Sequence, residues 1–227
     1  MPEKNTLHKA GDYILEGPLM AGSSGENFSF QDIVSEINIY QDIDSPYMSG
    51  SIFVTEAAGL YERMPIYGQE RLLFTLSTPG ARNSVDFSDY HAAVYNVSTR
   101  NPSGNREHSY NINFTSLEGF RNIRTKVSKS FKGSIAQMVA EIMKDGDMLG
   151  TPKAVNIDPT QNNRKFVAPN LRPFQIIQYL KEEAINEKGE PHYLFYENPD
   201  GFHFRSLDSL LGELRELSVE AVQEYKM

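Results

Sequence analysis

The chain has 227 residues, a formal net charge of −8 and no cysteine. That length holds one large domain or two ordinary ones, the missing thiols exclude disulfides and thiolate metal ligands, and the acidic balance argues against a general phosphate-binding surface. Hydrophobic residues make up only 39%, yet 13 Phe and 12 Tyr would have no purpose in a solvated tail.

The N-terminal stretch MPEKNTLHKAGDY has no apolar segment of the signal-peptide kind, and the apolar runs are too short to span a bilayer. Folding in a reducing cytoplasm is the natural expectation for a cysteine-free chain. GDYILEG (11–17) reads as a short strand. IVSEINIYQDI (33–43) alternates, with Ile33, Ser35, Ile37 and Ile39 on one parity and Val34, Glu36, Asn38 and Tyr40 on the other, the period of a strand. SIFVTEA (51–57) and ERLLFTLSTPG (70–80) are strand-like, the second closed by a Pro-Gly turn. Between them AAGLYERMPIYG (57–68) fits one or two helical turns ended by Pro65. VDFSDYHAAVYNVSTR and REHSYNINFTS flank NPSGN (101–105) as a long hairpin with an exposed tip, and Tyr110, Ile112 and Phe114 share one face. Consecutive antiparallel strands of this kind predict a sandwich or small barrel.

The pattern changes near residue 115. Thr115 and Glu118 have capping-box spacing for a short helix. GSIAQMVAEIMKDG predicts a one-sided helix: Ser134 is the N-cap, Gln137 follows three residues on, and Ile135, Met138, Val139 and Ile142 share a face before Gly146. Met138 there is core filler rather than a ligand. AVNIDPTQNNRKFVAP (154–169) carries one or two short strands. RPFQIIQYLKEEAINEKG (172–189) is the strongest helix, with Pro173 at the first helical position, a face of Phe174, Ile177, Leu180 and Ala184, and Gly189 after the last turn.

HYLFYENPDGFHFRS (192–206) reads as a hairpin around Asn198-Pro199-Asp200-Gly201. A three-residue loop with a bulge at Gly201 pairs Asn198 with Phe202, Glu197 with His203, and Tyr196 with Phe204. One face then carries Leu194, Tyr196, Phe202 and Phe204 toward a core. The other carries Tyr193, Phe195, Glu197, His203 and Arg205, with a Glu–His cross-strand pair, and faces solvent or a neighbouring subunit.

The residues offer no motif of catalytic strength: no GxSxG, HExxH, P-loop or dinucleotide fingerprint. A metal site would need His192 and His203 together with a carboxylate, but this register puts them on opposite faces. His8, His91 and His108 are dispersed, and His91 sits in an alternating strand. Glu182 and Glu183 are adjacent on a helix and point to different sides, which suits a solvated face better than a glycosidase pair. The basic cluster Arg121–Lys132 interleaves its charges with apolar and hydroxyl residues. No catalytic residue, cofactor site or metal site is therefore expected, and interface residues are not assignable.

Three phrases resemble the baseplate hub protein of contractile-tailed bacteriophages. They are INIYQDIDSPYMSGSIFVTEAAGLYERMPIYGQERLLFTLSTPG (37–80) with its P-I-x-G-Q-E step, NINFTSLEGFRNIRTKVSKSFKG (111–133), and FVAPNLRPFQIIQYLKEEAI (166–185) followed by HYLFYENPDGFHFRSLDSLL (192–211). The resemblance covers roughly residues 30–211. It implies a non-enzymatic virion protein similar to the base of type VI secretion spikes. Such a protein is a homotrimeric ring that joins the tail tube to the central spike, contacts other baseplate proteins and lets DNA pass through its lumen. It implies no specific nucleic-acid contact, no membrane, and a place in the virion tail baseplate after assembly in the host cytoplasm. Each protomer of the family has two tube-type barrels. After Leu211 only sixteen residues remain here, fewer than a second barrel needs. The chain is then a shortened hub, part of a longer one, or one whose second barrel uses strands placed in the first.

The fold expected is α+β and mainly β. An antiparallel tube-type barrel takes residues 1–115. A smaller α/β domain with two helices and the aromatic hairpin takes 116–211, and a C-terminal segment (212–227) would begin a missing or incomplete second barrel. Two other readings compete. A cell-wall glycan-binding or glycan-hydrolysing baseplate component needs a cleft with two carboxylates about 5–10 Å apart. A nucleic-acid barrel of the OB type needs a basic groove with stacking aromatics, which the net charge opposes.

Overall fold

Period-two alternation carries the first half of the chain into one antiparallel sheet. The computed structural model describes residues 13–22, 25–57, 59, 66–79, 84–102, 107–161 and 163–217. The sheet contains β1 (Ile14–Ala21), β2 (Asn27–Ser29), β3 (Val34–Tyr40), β4 (Ser49–Glu56), β5 (Arg71–Ser77), β6 (Ser84–Asp86), β7 (Ala92–Pro102) and β8 (His108–Ser116). Its order is β2-β1-β5-β7-β8-β4-β3, with β6 beside β5. The two end strands, β2 and β3, are consecutive in sequence and joined through Phe30–Ile33. A link of that length spans at most about 18 Å, so the sheet must curl until its ends approach. The Phe30 N–H donates to the Pro18 carbonyl, and the Ile33 carbonyl accepts from Thr55 N–H, extending both ladders into the link. Among the described residues no strand pair joins β2 to β3, and this turn is what links the two ends of the sheet.

The curled sheet encloses a core of its inward residues. Val54, Val94, Ile112 and Phe114 are fully buried, and Phe74, Phe87 and Phe114 meet with ring centroids 5.1–5.8 Å apart. Each such ring stabilises by roughly 1.5–3 kcal/mol relative to exposure. A bulge between Val34 and Glu36 resets the parity of β3, so Ile33, Val34, Ile37 and Ile39 all pack against this core. The expected face of Tyr110, Ile112 and Phe114 is buried as its period requires. The helical turns expected in 57–68 fall mostly outside the described residues, as does the tip of the 101–105 loop.

The chain divides into two compact units, Met1–Gln41 with Tyr47–Phe120, and Asp42–Pro46 with Arg121–Met227. The mainly β, α+β class is the one observed. Among the described residues the helices are α1 (Leu117–Arg124), α2 (Ile135–Lys144), α3 (Pro173–Glu183) and α4 (Leu207–Leu217); α2 and α3 are the two expected of the second domain, and α1 is the short one expected near residue 115. The additional helix α4 was hidden in SLDSLLGELREL, and residues 212–217 continue it instead of starting a strand. Thr115 still belongs to β8, and its hydroxyl donates to the Met48 carbonyl at 3.1 Å. At α2 the capping box forms as expected: Gln137 N–H donates to Ser134 Oγ, and Ser134 N–H donates to Gln137 Oε1. Ile135, Met138, Val139 and Ile142 are buried. Helix α3 begins at Pro173 but stops at Glu183, six residues before Gly189. The Asn186 side chain accepts from Lys188 and Glu190 N–H and builds a separate turn that ends the helix early.

In the second unit β9 (Val127–Ser134) pairs antiparallel with β11 (Asn163–Leu171), while β10 (Val155–Ile157), β13 (Gly201–Ser206) and β12 (Tyr193–Asn198) form a second sheet in that order. The β10–β13 pair is parallel.

Candidate functional site

The β12–β13 hairpin is built on a two-residue loop, Pro199-Asp200. Its pairs are Asn198–Gly201, Glu197–Phe202, Tyr196–His203, Phe195–Phe204, Leu194–Arg205 and Tyr193–Ser206. This corrects the expected register by one residue, which reverses the faces of β12. The reason is local. Asn198 Oδ1 accepts from Asp200 N–H at 2.9 Å and lies 2.8 Å from His203 Nε2, so Asn198 is the closing strand residue and not part of the loop. The Pro199 ring fixes φ near −65° and excludes the primed turns. Gly201, at φ 132°, takes up the misfit.

The buried face is therefore Tyr193, Phe195 and Glu197 with Phe202, Phe204 and Ser206. Phe174 of α3 packs on it, 5.8 Å from Phe195 and 6.3 Å from Phe202. The α3 start is held by Asn122, whose Oδ1 accepts from Phe174 N–H at 2.9 Å. Glu197, expected to pair with His203, instead lies 2.5 Å from Lys153 Nζ inside the unit. The opposite face is satisfied by its own unit. Tyr196 and His203 stack with centroids 5.0 Å apart. Arg205 reaches Asp158 at 3.0 Å and Glu213 of α4 at 2.5 Å. The Glu213 hydrogen bond, foremost, raises the Arg205 pKa. Burial pushes the His203 pKa down, and the neighbouring Arg205 charge adds to this. Its ring nitrogens contact Asn198 Oδ1 and, at 3.5 Å, Asn156 Nδ2, which suits the neutral imidazole with one donor and one acceptor nitrogen. Glu197 is thus buried away from the interface considered from sequence, while half-buried Arg205 is held by Asp158 and Glu213 of its own unit.

The other candidates lie apart. His192 precedes β12 and is exposed, His108 is exposed at the start of β8, and His91 is half-buried before β7. His8 lies outside the described residues. Among the described residues no group of three His, Asp or Glu side chains could hold a metal ion. Glu183 is engaged by Arg164 at 2.5 Å while Glu182 is exposed, so α3 does not present them as a pair. No helix among the described residues is long and apolar enough to cross a membrane.

The P-I-x-G-Q-E step has a physical function that its letters did not disclose. The buried Glu70 carboxylate accepts the N–H groups of Tyr67, Gly68 and Gln69 at 2.8, 2.8 and 3.0 Å. Successive N–H groups converge on one anion, as in a backbone nest, and Gly68 supplies the positive φ, 84°, that aims them. The Glu70 carbonyl in turn accepts Val94 N–H and joins β5 to β7.

This fold is that of phage tail proteins. The chain matches the 43 kDa tail protein of prophage MuSo2 from Shewanella oneidensis with a TM-score of 0.52 at 11% identity, over 82% of its own length and 53% of that protein. It matches the tail protein of Neisseria meningitidis MC58 with a TM-score of 0.51 at 13% identity, over 85% of its own length and 50% of that chain. A component of the E. coli type VI secretion system, described as structurally similar to the T4 bacteriophage tail proteins gp27 and gp5, matches with a TM-score of 0.52 at 11% identity, over 85% and 48%. The chain thus spans about half the length of these structures. No protein-family model and no curated protein matches the sequence.

Proposed function

We propose that this chain is a structural protein of a phage-type tail. It acts as the baseplate hub, a homotrimeric ring that joins the tail tube to the central spike, contacts other baseplate proteins and leaves a passage for DNA. The observation that carries this reading is the extent of the fold match. At 82–85% of the chain it exceeds either compact unit alone. The likeness to a type VI secretion component described as structurally similar to the T4 tail proteins gp27 and gp5 supports this reading. A curled antiparallel sheet whose end strands stay unpaired can take a neighbouring copy at those edges, which suits ring assembly. The net charge of −8 suits a conduit that repels phosphate. On this reading the protein is assembled in the host cytoplasm and resides in the virion tail.

Light scattering on the purified full chain and imaging of tail particles test the proposal. The expected result is a trimeric mass and three copies around the tail axis. A stable monomer that hydrolyses peptidoglycan would overturn it.

A further inference from the structure

We infer that the outer face of the β9–β11 ribbon is the surface by which one copy of this chain grips a second, through the acidic β2–β3 region of that second copy. This rests on the ring-forming reading above. The first observation is charge segregation. Between Glu118 and Glu141 the chain carries Arg121, Arg124, Lys126, Lys129 and Lys132 and no acid; between Asp158 and Glu182 it carries Arg164, Lys165, Arg172 and Lys181 and no acid. Residues 10–62 are the mirror image, with no Lys or Arg at all.

The pairing of β9 with β11 brings the two base-only stretches side by side. Bases on the inner face are neutralised locally: Lys129 lies 2.7 Å from Glu141 and 3.3 Å from Asp145, and Arg164 meets Glu183. The outer face has no such relief. Its residues Ser128, Ser130, Lys132, Lys165, Val167 and Pro169 are all exposed. Lys132 stands directly opposite Lys165 in the register, a like-charge pair that costs stability. No described carboxylate pairs with either lysine. Val167, 68% exposed, adds an apolar contact at the middle of this face.

The same chain supplies the complement. Glu26, Asp32 and Glu36 are exposed beside β2 and β3, and β3 ends the sheet with its outer edge unpaired among the described residues. An open strand edge calls for a cover. A basic face on one copy and an acidic edge on the next make a heterologous contact, the kind that closes into a ring.

The experiment uses the purified full chain and a charge swap, with circular dichroism confirming the fold of each variant. Sedimentation velocity should show wild-type assembly weakening as salt rises, and about tenfold or greater loss of association in Lys132→Glu/Lys165→Glu and in Asp32→Lys/Glu36→Lys. Mixing the two variants should restore association between them. The milder Lys132→Ser/Lys165→Ser covers misfolding of the first. Wild-type-like assembly of the lysine variants overturns the inference and leaves the hub reading standing, whereas a wild type that never assembles sinks the hub reading too. Binding of duplex DNA that is lost in the lysine variants while assembly persists would assign the face to phosphate and overturn the inference.

Discussion

Lys153 and Glu197 form an ion pair closed off from water, with Nζ 2.5 Å from Oε1 and side-chain exposures of 9% and 0%. The ammonium also lies 5.5 Å from the centre of the Phe202 ring. Removing one partner leaves a buried charge, so Glu197→Ala should cost about 3–5 kcal/mol in urea unfolding. The double variant Lys153→Met/Glu197→Leu should recover most of that loss. A single variant as stable as wild type would contradict the assignment.

Glu70 offers a second test, in the first unit. Glu70→Ala removes the acceptor of three backbone N–H groups and should cost about 1–3 kcal/mol. Glu70→Gln keeps the shape and one acceptor oxygen and should cost less. Thermal melts of both variants order the effects, and equal melting temperatures would show that the nest contributes nothing.

Gly201 carries two constraints at once. Its φ of 132° disfavours any side chain, and an added Cβ would run into the Ala154 backbone carbonyl. That carbonyl accepts Phe202 N–H at 2.9 Å where β10 begins to pair with β13. Gly201→Ala should therefore destabilise by about 1–3 kcal/mol from strain alone, more with the clash, and loosen β10. Amide exchange at Phe202 reads the second effect directly, and unchanged protection would refute it.

His203 predicts a pH dependence. Its folded pKa lies below the ordinary 6.5, so the folded chain binds fewer protons than the unfolded one. Stability is then complete above about pH 6.5 and falls as pH drops through that value toward the folded pKa. Charged groups around it are Arg205, Asp200 and Glu213. His203→Gln should flatten the loss between about pH 7.5 and 5.5 in thermal unfolding. A variant that keeps the wild-type slope would place the titration elsewhere.

The long-period signals were legible from the residues. The inward face of β8, the Ser134–Gln137 cap and the Phe174–Ile177–Leu180 stripe follow from alternation, capping chemistry and helical spacing. Those are properties of neighbours in sequence, and the α+β, mainly β class follows from them. What failed was decided by contacts distant in sequence or by a choice between near-equal local solutions. Asn198-Pro199-Asp200-Gly201 suits two loop lengths. The two-residue loop places Phe202 beside Ala154 and buries Glu197 against Lys153, forty-four residues away. Helix α3 ends where Asn186 folds back on Glu190. The acid-free stretches were visible as composition, but only the β9–β11 pairing turned them into one basic face. Local propensity is written in adjacent residues; register, burial of charge and the meeting of distant strands are set by packing, which a single linear pattern does not encode.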